Sequence, residues 1–529
     1  MKFKPTQYQI EIFQEIQFGK SNLVINAVAG SGKTTTILKS IDLIRGRSKR
    51  KIVFLAFNRR ISLELKRQLP SSISVSTMHA MGLHCIQKEN DGKRPEVDIY
   101  NQKLRRQLSE LSRQVDWVKQ EKFESYDGYR VRVKNYVNEL VPLMDLCKLY
   151  LATEKDSIAS IAQRHNFNSL GDEDFLRLEF AFKTLYENPD LTYISLADMI
   201  FYPALGIVPI NKYDFVFVDE CQDLNKCQQR CVELMIEDGG RFVAVGDPKQ
   251  AIYGFQGSDI KAFESFTKKP NTKPLKLSDC FRCSRIIVEF AQTLNPTIQA
   301  SNKAQDGVVR YGSYREAQPG DFVLCRLNAP LVSLCIKYLK QNIQASITDS
   351  ELDSALKKLI KTHSNQTCTI SDLFSSLHAF IEGLKTALIE KGLSDEEIER
   401  NSEIQSYNDK LSVIQVLSVG CSKPLDIIRK IESIFSEDTD GILLSSIHKS
   451  KGLEADRVFI LGDELMPLKK AELKWEREQE ENLMYVAYTR AKTELIFIND
   501  IDDYTEPGYG GLKRSERLDS FLGSNLLNT

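Results

Sequence analysis

Residues 23–38, Leu23-Val24-Ile25-Asn26-Ala27-Val28-Ala29-Gly30-Ser31-Gly32-Lys33-Thr34-Thr35-Thr36-Ile37-Leu38, decide the reading of the chain. An apolar burst, Leu23-Val24-Ile25, gives way to a glycine-rich turn, and the turn leads through Thr35-Thr36-Ile37-Leu38 into a helical pattern. That order is strand, loop, helix. A glycine-rich turn in this place lets consecutive backbone N–H groups and the positive helix end hold phosphate oxygens. In AVAGSGKT the cradle falls to Ala29, Gly30, Ser31 and Gly32, with Lys33 reaching the β- and γ-phosphates, Thr34 binding Mg²⁺ and Thr35 beside it. Ala27 stands where the full pattern has its first glycine. A tight connection alone would account for glycines after a strand, but GSGKT between strand and helix points to ATP and Mg²⁺ as cofactors.

Further along, Ile52-Val53-Phe54-Leu55-Ala56 reads as a second strand behind the basic connector Arg45 to Lys51, followed by a helix through Leu63, Leu65 and Leu69. Two β-α units in succession predict a parallel sheet. From about 90 to 195 charged stretches such as KLRRQLSELSRQVDWVKQEKF carry apolar residues at helical spacing, which predicts a helical insertion. Strands return at Phe215–Val218 and Phe242–Val245, and a second group is expected at Asp321–Leu324, Ile442–Leu444, Val458–Leu461 and Leu495–Ile498. A polar, mostly helical stretch of about 345 to 437 interrupts that second group. The expected fold class is therefore α/β, with two domains of parallel sheet, each interrupted by a mostly helical insertion. The boundaries are 1–90 and 196–275 for the first domain, 91–195 for its insertion, 276–344 and 438–505 for the second, 345–437 for its insertion, and 506–529 for a polar tail.

Bulk composition agrees with this division. At 529 residues the chain exceeds what a single core supports, and 42% apolar with 27% charged residues is ordinary for globular proteins. The 71 Lys and Arg nearly cancel the 72 Asp and Glu, so a polyanionic partner must be held by a local channel rather than by overall charge. The polar opening MKFKPTQYQIEIFQ and the absence of long apolar runs predict no membrane partner and a cytosolic-type protein. The 11 cysteines, an odd number spread from Cys85 to Cys421, read as reduced thiols buried as small hydrophobes. Cys280 and Cys283 form the sole CxxC, and zinc would need a second pair at similar spacing.

About 185 residues after the glycine-rich loop, the strand ending at Val218 runs into Asp219-Glu220-Cys221-Gln222-Asp223. A carboxylate at a buried strand end can hold Mg²⁺, and a second beside it can orient or deprotonate water. Asp219 and Glu220 fit these roles, although an acidic pair at a helix start is the simpler reading when no phosphate loop is present.

These two motifs are followed in order by VGDPKQAIYGFQGSD, LSDCFRCS, SSIHKSKGLEAD and LMYVAYTRAK. As an ordered set they make the sequence resemble the Rep/UvrD-like superfamily 1 DNA helicases, particularly compact members akin to the F-box DNA helicase group. The resemblance covers both α/β domains and hardly the insertions. It implies two RecA-like domains with ATP and Mg²⁺ in the cleft between them. It also implies a role for Gln9 at the adenine edge, for Gln250 as γ-phosphate sensor, for Phe281 stacking on adenine, and for Arg282 and Arg490 as γ-phosphate contacts. Glu454 resembles the ribose-contacting acid, and His448 and Lys451 lie where that segment touches nucleic acid and nucleotide. Phe281 and the pair Phe255-Gln256 stand where the family usually has Tyr and Trp-Arg.

For the nucleic-acid track, Tyr253 and Phe255 are the candidates for base stacking, since an aromatic face binds single strands without regard to sequence. Aromatics after a strand are also common core residues, and His79 and His448 are as readily structural as functional. The resemblance implies ATP-dependent 3′ to 5′ movement on single-stranded DNA, with 3′-tailed duplex DNA as substrate. A protein-stripping translocase, or the motor subunit of a larger repair or defence complex, is the alternative. A nucleotide-dependent scaffold with a dead site is opposed by intact Lys33, Asp219, Glu220, Arg282 and Arg490. The expected location is the cytoplasm, at the nucleoid, or the nucleus of a eukaryote.

Overall fold

The computed structural model describes residues 3–526 apart from 45, 47–48, 122–124, 168, 255–256, 260, 366, 390–392, 436–439, 469–470, 472 and 499–513. The chain divides into two compact units, one of Met1–Ala27 with Gly32–Leu277, the other of Ser278–Thr529 with Val28–Ser31.

The first unit is built on a six-stranded sheet whose spatial order is Ser74–Thr77, Ile52–Ala56, Tyr213–Val218, Ile236–Gly246, Asn22–Ala27, Thr272–Leu277. Every pairing is parallel. Ile52–Ala56 is buried along its whole length, as expected where helices cover both faces of a parallel sheet. Strand alternation sorts the side chains into two layers. Leu23, Ile25, Phe54, Phe217 and Val243 pack on one side with Ile12, Ile16, Ile37 and Ile41 of the first two helices. Val24, Val53, Leu55, Val216 and Val218 pack on the other with helices Met78–Glu89, Tyr126–Tyr150 and Asp198–Leu205.

Two edge strands, Ser74–Thr77 and Thr272–Leu277, escape the sequence reading because their exposed positions are polar and one contains Pro274. The helical stretch between them also holds a short parallel pair, Glu96–Asp98 with Tyr193–Ser195, too brief to show a period.

The second unit repeats the architecture. Its sheet runs Val308–Gly312, Ala491–Ile498, Ala455–Leu461, Phe322–Cys325, Ile442–Ser446, Ala345–Ile347, again all parallel. Ala345–Ile347, at the start of the stretch read as helical, is thus an edge strand of this sheet. The helices that follow, Ser350–His363 to Pro424–Ile434, bury Leu356, Ile360, Leu377, Ile414 and Ile431 against it. Of the expected polar tail, Glu516–Leu526 forms a helix held by buried Leu518 and by Phe521, whose ring lies 5.1 Å from that of Phe290. The chain is therefore two α/β domains of parallel sheet flanked by helices. Among the described residues no helix is long and apolar enough to cross a membrane.

Candidate nucleotide and nucleic-acid sites

Three neighbouring parallel strands of the first sheet end at one edge: Asn22–Ala27 at the glycine-rich loop, Tyr213–Val218 at Asp219 and Ile236–Gly246 at Asp247. Strand ends of a parallel sheet are where such folds gather ligand-binding groups. Gly30 and Gly32 take φ of +67° and +75°, a left-handed backbone that glycine adopts without strain, and Gly32 caps the helix Lys33–Asp42. Ser31 is buried, Thr34 half-buried and Thr35 exposed in the first turn.

Lys33 Nζ lies 3.1 Å from Glu220 Oε1. Burial pulls the Lys33 pKa down, but Glu220, Asp247 and Asp219 around it outweigh burial and hold it above its usual value. Glu220 has φ +51° and ψ +44°, a conformation that costs a non-glycine residue about 1–3 kcal/mol and is characteristic of functional sites. It turns its N–H onto Asp219 Oδ1 at 3.0 Å. The acidic pair gives no side-chain cap to the short helix after it, contrary to the simpler reading.

Gln222, which the sequence did not single out, fixes the other side of Glu220. It is 1% exposed, and its Nε2 donates to Glu220 Oε2 at 2.5 Å while its Oε1 accepts from the Asp247 N–H at 3.0 Å. Gly246 makes room for it, since a Cβ there would sit 2.3 Å from Gln222 Oε1. Asp247, also passed over, is fully buried and accepts from Gln250 Nε2 at 2.7 Å. Burial raises its pKa against the pull of Lys33 and Gln250. Glu220, Gln222, Asp247 and Gln250 thus form one continuous chain of contacts.

Gln9 lies in the helix Gln7–Phe18. It is 3% exposed, takes part in a capping box with Thr6, and donates from Nε2 to Thr36 Oγ1 at 2.9 Å, while the Thr36 hydroxyl donates to the Gly32 carbonyl. Arg241 anchors the same helix through the carbonyls of Glu15 and Ile16, and the connector after it through that of Ser21.

In the second unit Arg282 and Glu454 are brought together, Nε to Oε2 at 2.6 Å, with Lys492 Nζ 3.1 Å from the other carboxylate oxygen. Burial of Glu454 is outweighed by these two cations, which hold its pKa below the usual range. Arg490 is 2% exposed and its guanidinium donates to the carbonyls of Val486 and Leu453 at 3.0 and 3.1 Å. Phe281 is 51% exposed. His448 is pushed down to about 3 by burial and then by Arg326, Lys449 and Lys451, so it is a neutral imidazole at pH 7.

For the track, a cavity of about 430 Å³ in the first unit is lined by Phe57, Met78, His79, Leu149, Asp219 and Tyr253 among others. The rings of Phe57 and Tyr253 lie 5.8 Å apart and 23° from parallel. Phe57, exposed directly after Ile52–Ala56, was missed although its place after a strand matches the signal used for Tyr253. Phe255 and Gln256 lie outside the described residues.

Comparison with known proteins gives two matches to family models: the UvrD/REP helicase N-terminal domain over residues 9–271 and the UvrD-like helicase C-terminal domain over 441–498. F-box DNA helicase protein 1 of Schizosaccharomyces pombe is 27% identical across 90% of this chain and 55% of its own length. ATP-dependent DNA helicase PcrA of Staphylococcus epidermidis is 23% identical across 90% and 81%, and F-box DNA helicase 1 of Gallus gallus 23% across 90% and 47%. The chain spans about half the length of the F-box relatives it matches.

Proposed function

Since the chain has the domain architecture of the Rep/UvrD-like superfamily 1 helicases, we propose that it is an ATP-dependent DNA helicase that translocates 3′ to 5′ along single-stranded DNA. The observation that carries this reading is the cluster at one sheet edge: Lys33, at the start of its helix, ion-paired to Glu220 beside Asp219. ATP and Mg²⁺ suit it, because left-handed glycines open a cradle for phosphate and the donors facing it are hard oxygens. Thr34 and Asp219 would hold Mg²⁺, which neutralises charge on the phosphates when bound.

With ATP bound, Lys33 would turn from Glu220 toward the β- and γ-phosphates. That leaves the Glu220 carboxylate, held by Gln222, to orient and deprotonate the attacking water. Arg282 and Arg490 stabilise the transferring phosphoryl group, and Phe281, Gln9 and Glu454 serve the adenosine. Phe57, His79, Tyr253, Phe255 and His448 serve the strand, which the Phe57–Tyr253 pair would bind by stacking. Asp247 and Gln250 link the two, since Tyr253 follows Gln250 by three residues.

Single-stranded DNA and 3′-tailed duplexes are the substrates in this reading, in the cytoplasm or nucleus. ATPase and unwinding assays with 3′-tailed DNA, 5′-tailed DNA and matching RNA test it. Unwinding of the 3′-tailed duplex alone is expected, and a preference for 5′ tails or RNA would overturn it. The second reading, a translocase that strips proteins from DNA or drives a larger complex, is favoured by the compact second insertion. It predicts strong DNA-stimulated ATPase with little unwinding by the isolated chain.

A further inference from the structure

The Cys280–Cys283 pair flanks Phe281 and Arg282. Both thiols are buried, at 0% and 3% exposure. The Cys283 N–H points at Cys280 Sγ at 3.4 Å. On its other side Cys283 Sγ lies 3.7 Å from the carbonyl of Thr489, which also accepts from Arg282 Nη1 at 3.2 Å and immediately precedes Arg490. One arginine therefore lies inside the four-residue loop of the dithiol, and the other directly follows the residue whose carbonyl faces Cys283.

We propose that Cys280 and Cys283 are a peroxide-sensitive dithiol whose oxidation to a disulfide withdraws Arg282 and Arg490 from their working positions and stops ATP hydrolysis. The inference rests on the proposed role of those arginines. Cys280 is the attacking sulfur. The Cys283 thiol, then the backbone N–H groups of Cys283 and Arg282, outweigh burial and bring its pKa to about 7, so a thiolate is present at neutral pH. The Cys280 sulfur beside it, and then burial, push the Cys283 thiol pKa up and keep it protonated.

The thiolate attacks one oxygen of hydrogen peroxide, forming an S–O bond as the O–O bond breaks and hydroxide leaves to be protonated. Cys283 sulfur then attacks the sulfenic sulfur, the S–S bond forms, the S–O bond breaks and water leaves with the thiol proton. Two thiols lose two electrons and one peroxide becomes two waters. Closing the bond takes the Cys283 S–H from the Thr489 carbonyl and shortens the loop that carries Arg282. Burial of both sulfurs favours a small oxidant over a bulky disulfide such as oxidised glutathione.

Peroxide treatment of the intact chain, followed by peptide mapping in a mass spectrometer, is the test. A Cys280–Cys283 crosslink lacking two hydrogens is expected. DNA-stimulated ATPase should fall at least about tenfold, since such arginines supply ~10³–10⁵ in rate, and dithiothreitol should restore it. Cys280→Ser and Cys283→Ser should each lose the peroxide response. If either fails to fold, the crosslink in the unaltered chain still decides. Oxidation confined to the half-buried Cys368 and Cys421 would overturn the proposal, as would a crosslink that leaves ATPase intact. Arg282→Ala is measured in parallel, because near-normal turnover there refutes the arginine assignment whatever the thiols do.

Discussion

Lys33→Ala is expected to cut ATP turnover ~10²–10³-fold, and because it leaves Glu220, Asp219 and Asp247 without their buried cation it should also lower the melting temperature, so turnover is read per folded molecule. Glu220→Gln should bind ATP and fail to hydrolyse it, because it removes the proposed base and leaves Asp219, the proposed metal ligand, in place. Gln222 provides a sharper test of the contact chain. Gln222→Met keeps the volume but drops the bonds to Glu220 and the Asp247 N–H. The catalytic constant should fall by ~10- to 100-fold, part of the 10²–10⁴ a positioned base supplies, while the dissociation constant for a fluorescent ATP analogue stays within a few-fold. The opposite split, weakened binding with normal turnover, would leave Gln222 a merely structural residue. His448 adds a pH dependence. Its folded pKa of about 3 lies below the ordinary value, so the stability it contributes is present above about 6.5 and drains away as pH falls toward 3. Melting temperatures measured from about pH 7 down to about 5 should decline more steeply for the parent than for His448→Gln.

The loop from Asp279 to Ser284 and the turn after helix Lys474–Tyr488 supply the two arginines, and they are held differently. Arg282 faces a carboxylate that a phosphate can replace, so Arg282→Ala should lose ~10³–10⁵ in catalytic constant with modest loss of ATP binding. Arg490 is committed to two main-chain carbonyls, and Arg490→Lys, which keeps the charge, separates its chemistry from the cost of baring them. Where Ile52–Ala56 ends, Phe57→Ala should weaken single-strand binding by ~5- to 150-fold in a fluorescence titration, the 1–3 kcal/mol of one stacked base. The same elements explain what could be read beforehand. Ile52–Ala56, Phe215–Val218 and Phe242–Val245 were legible because burial on both faces forces unbroken apolar runs. Ser74–Thr77 and Thr272–Leu277 were not, since an edge strand needs only half of that pattern. Likewise Lys33 and Asp219-Glu220 sit in contiguous motifs, whereas Gln222 gains meaning only when Asp247 folds beside it, and Phe57 only beside Tyr253.

Each unit has its own sheet and its own buried core, so heat should unfold the molecule in more than one calorimetric transition, and a single transition coincident in all probes would refute that. A net charge of −1 gives the whole chain no long-range pull on DNA, so the salt dependence of strand binding should report a few local phosphate contacts only. The order of strands in the first sheet has a consequence for biosynthesis. Asn22–Ala27, which carries the phosphate loop, pairs with Ile236–Gly246 and Thr272–Leu277, and neither neighbour exists until the ribosome has made the intervening helices. At ~5–20 residues per second the nascent chain holds that strand unpaired for many seconds, with its apolar side chains and backbone edges open to other chains. Competence to bind nucleotide is therefore acquired only about halfway through translation, once Thr272–Leu277 has been made, and until then this strand is the segment of the first unit most in need of a chaperone.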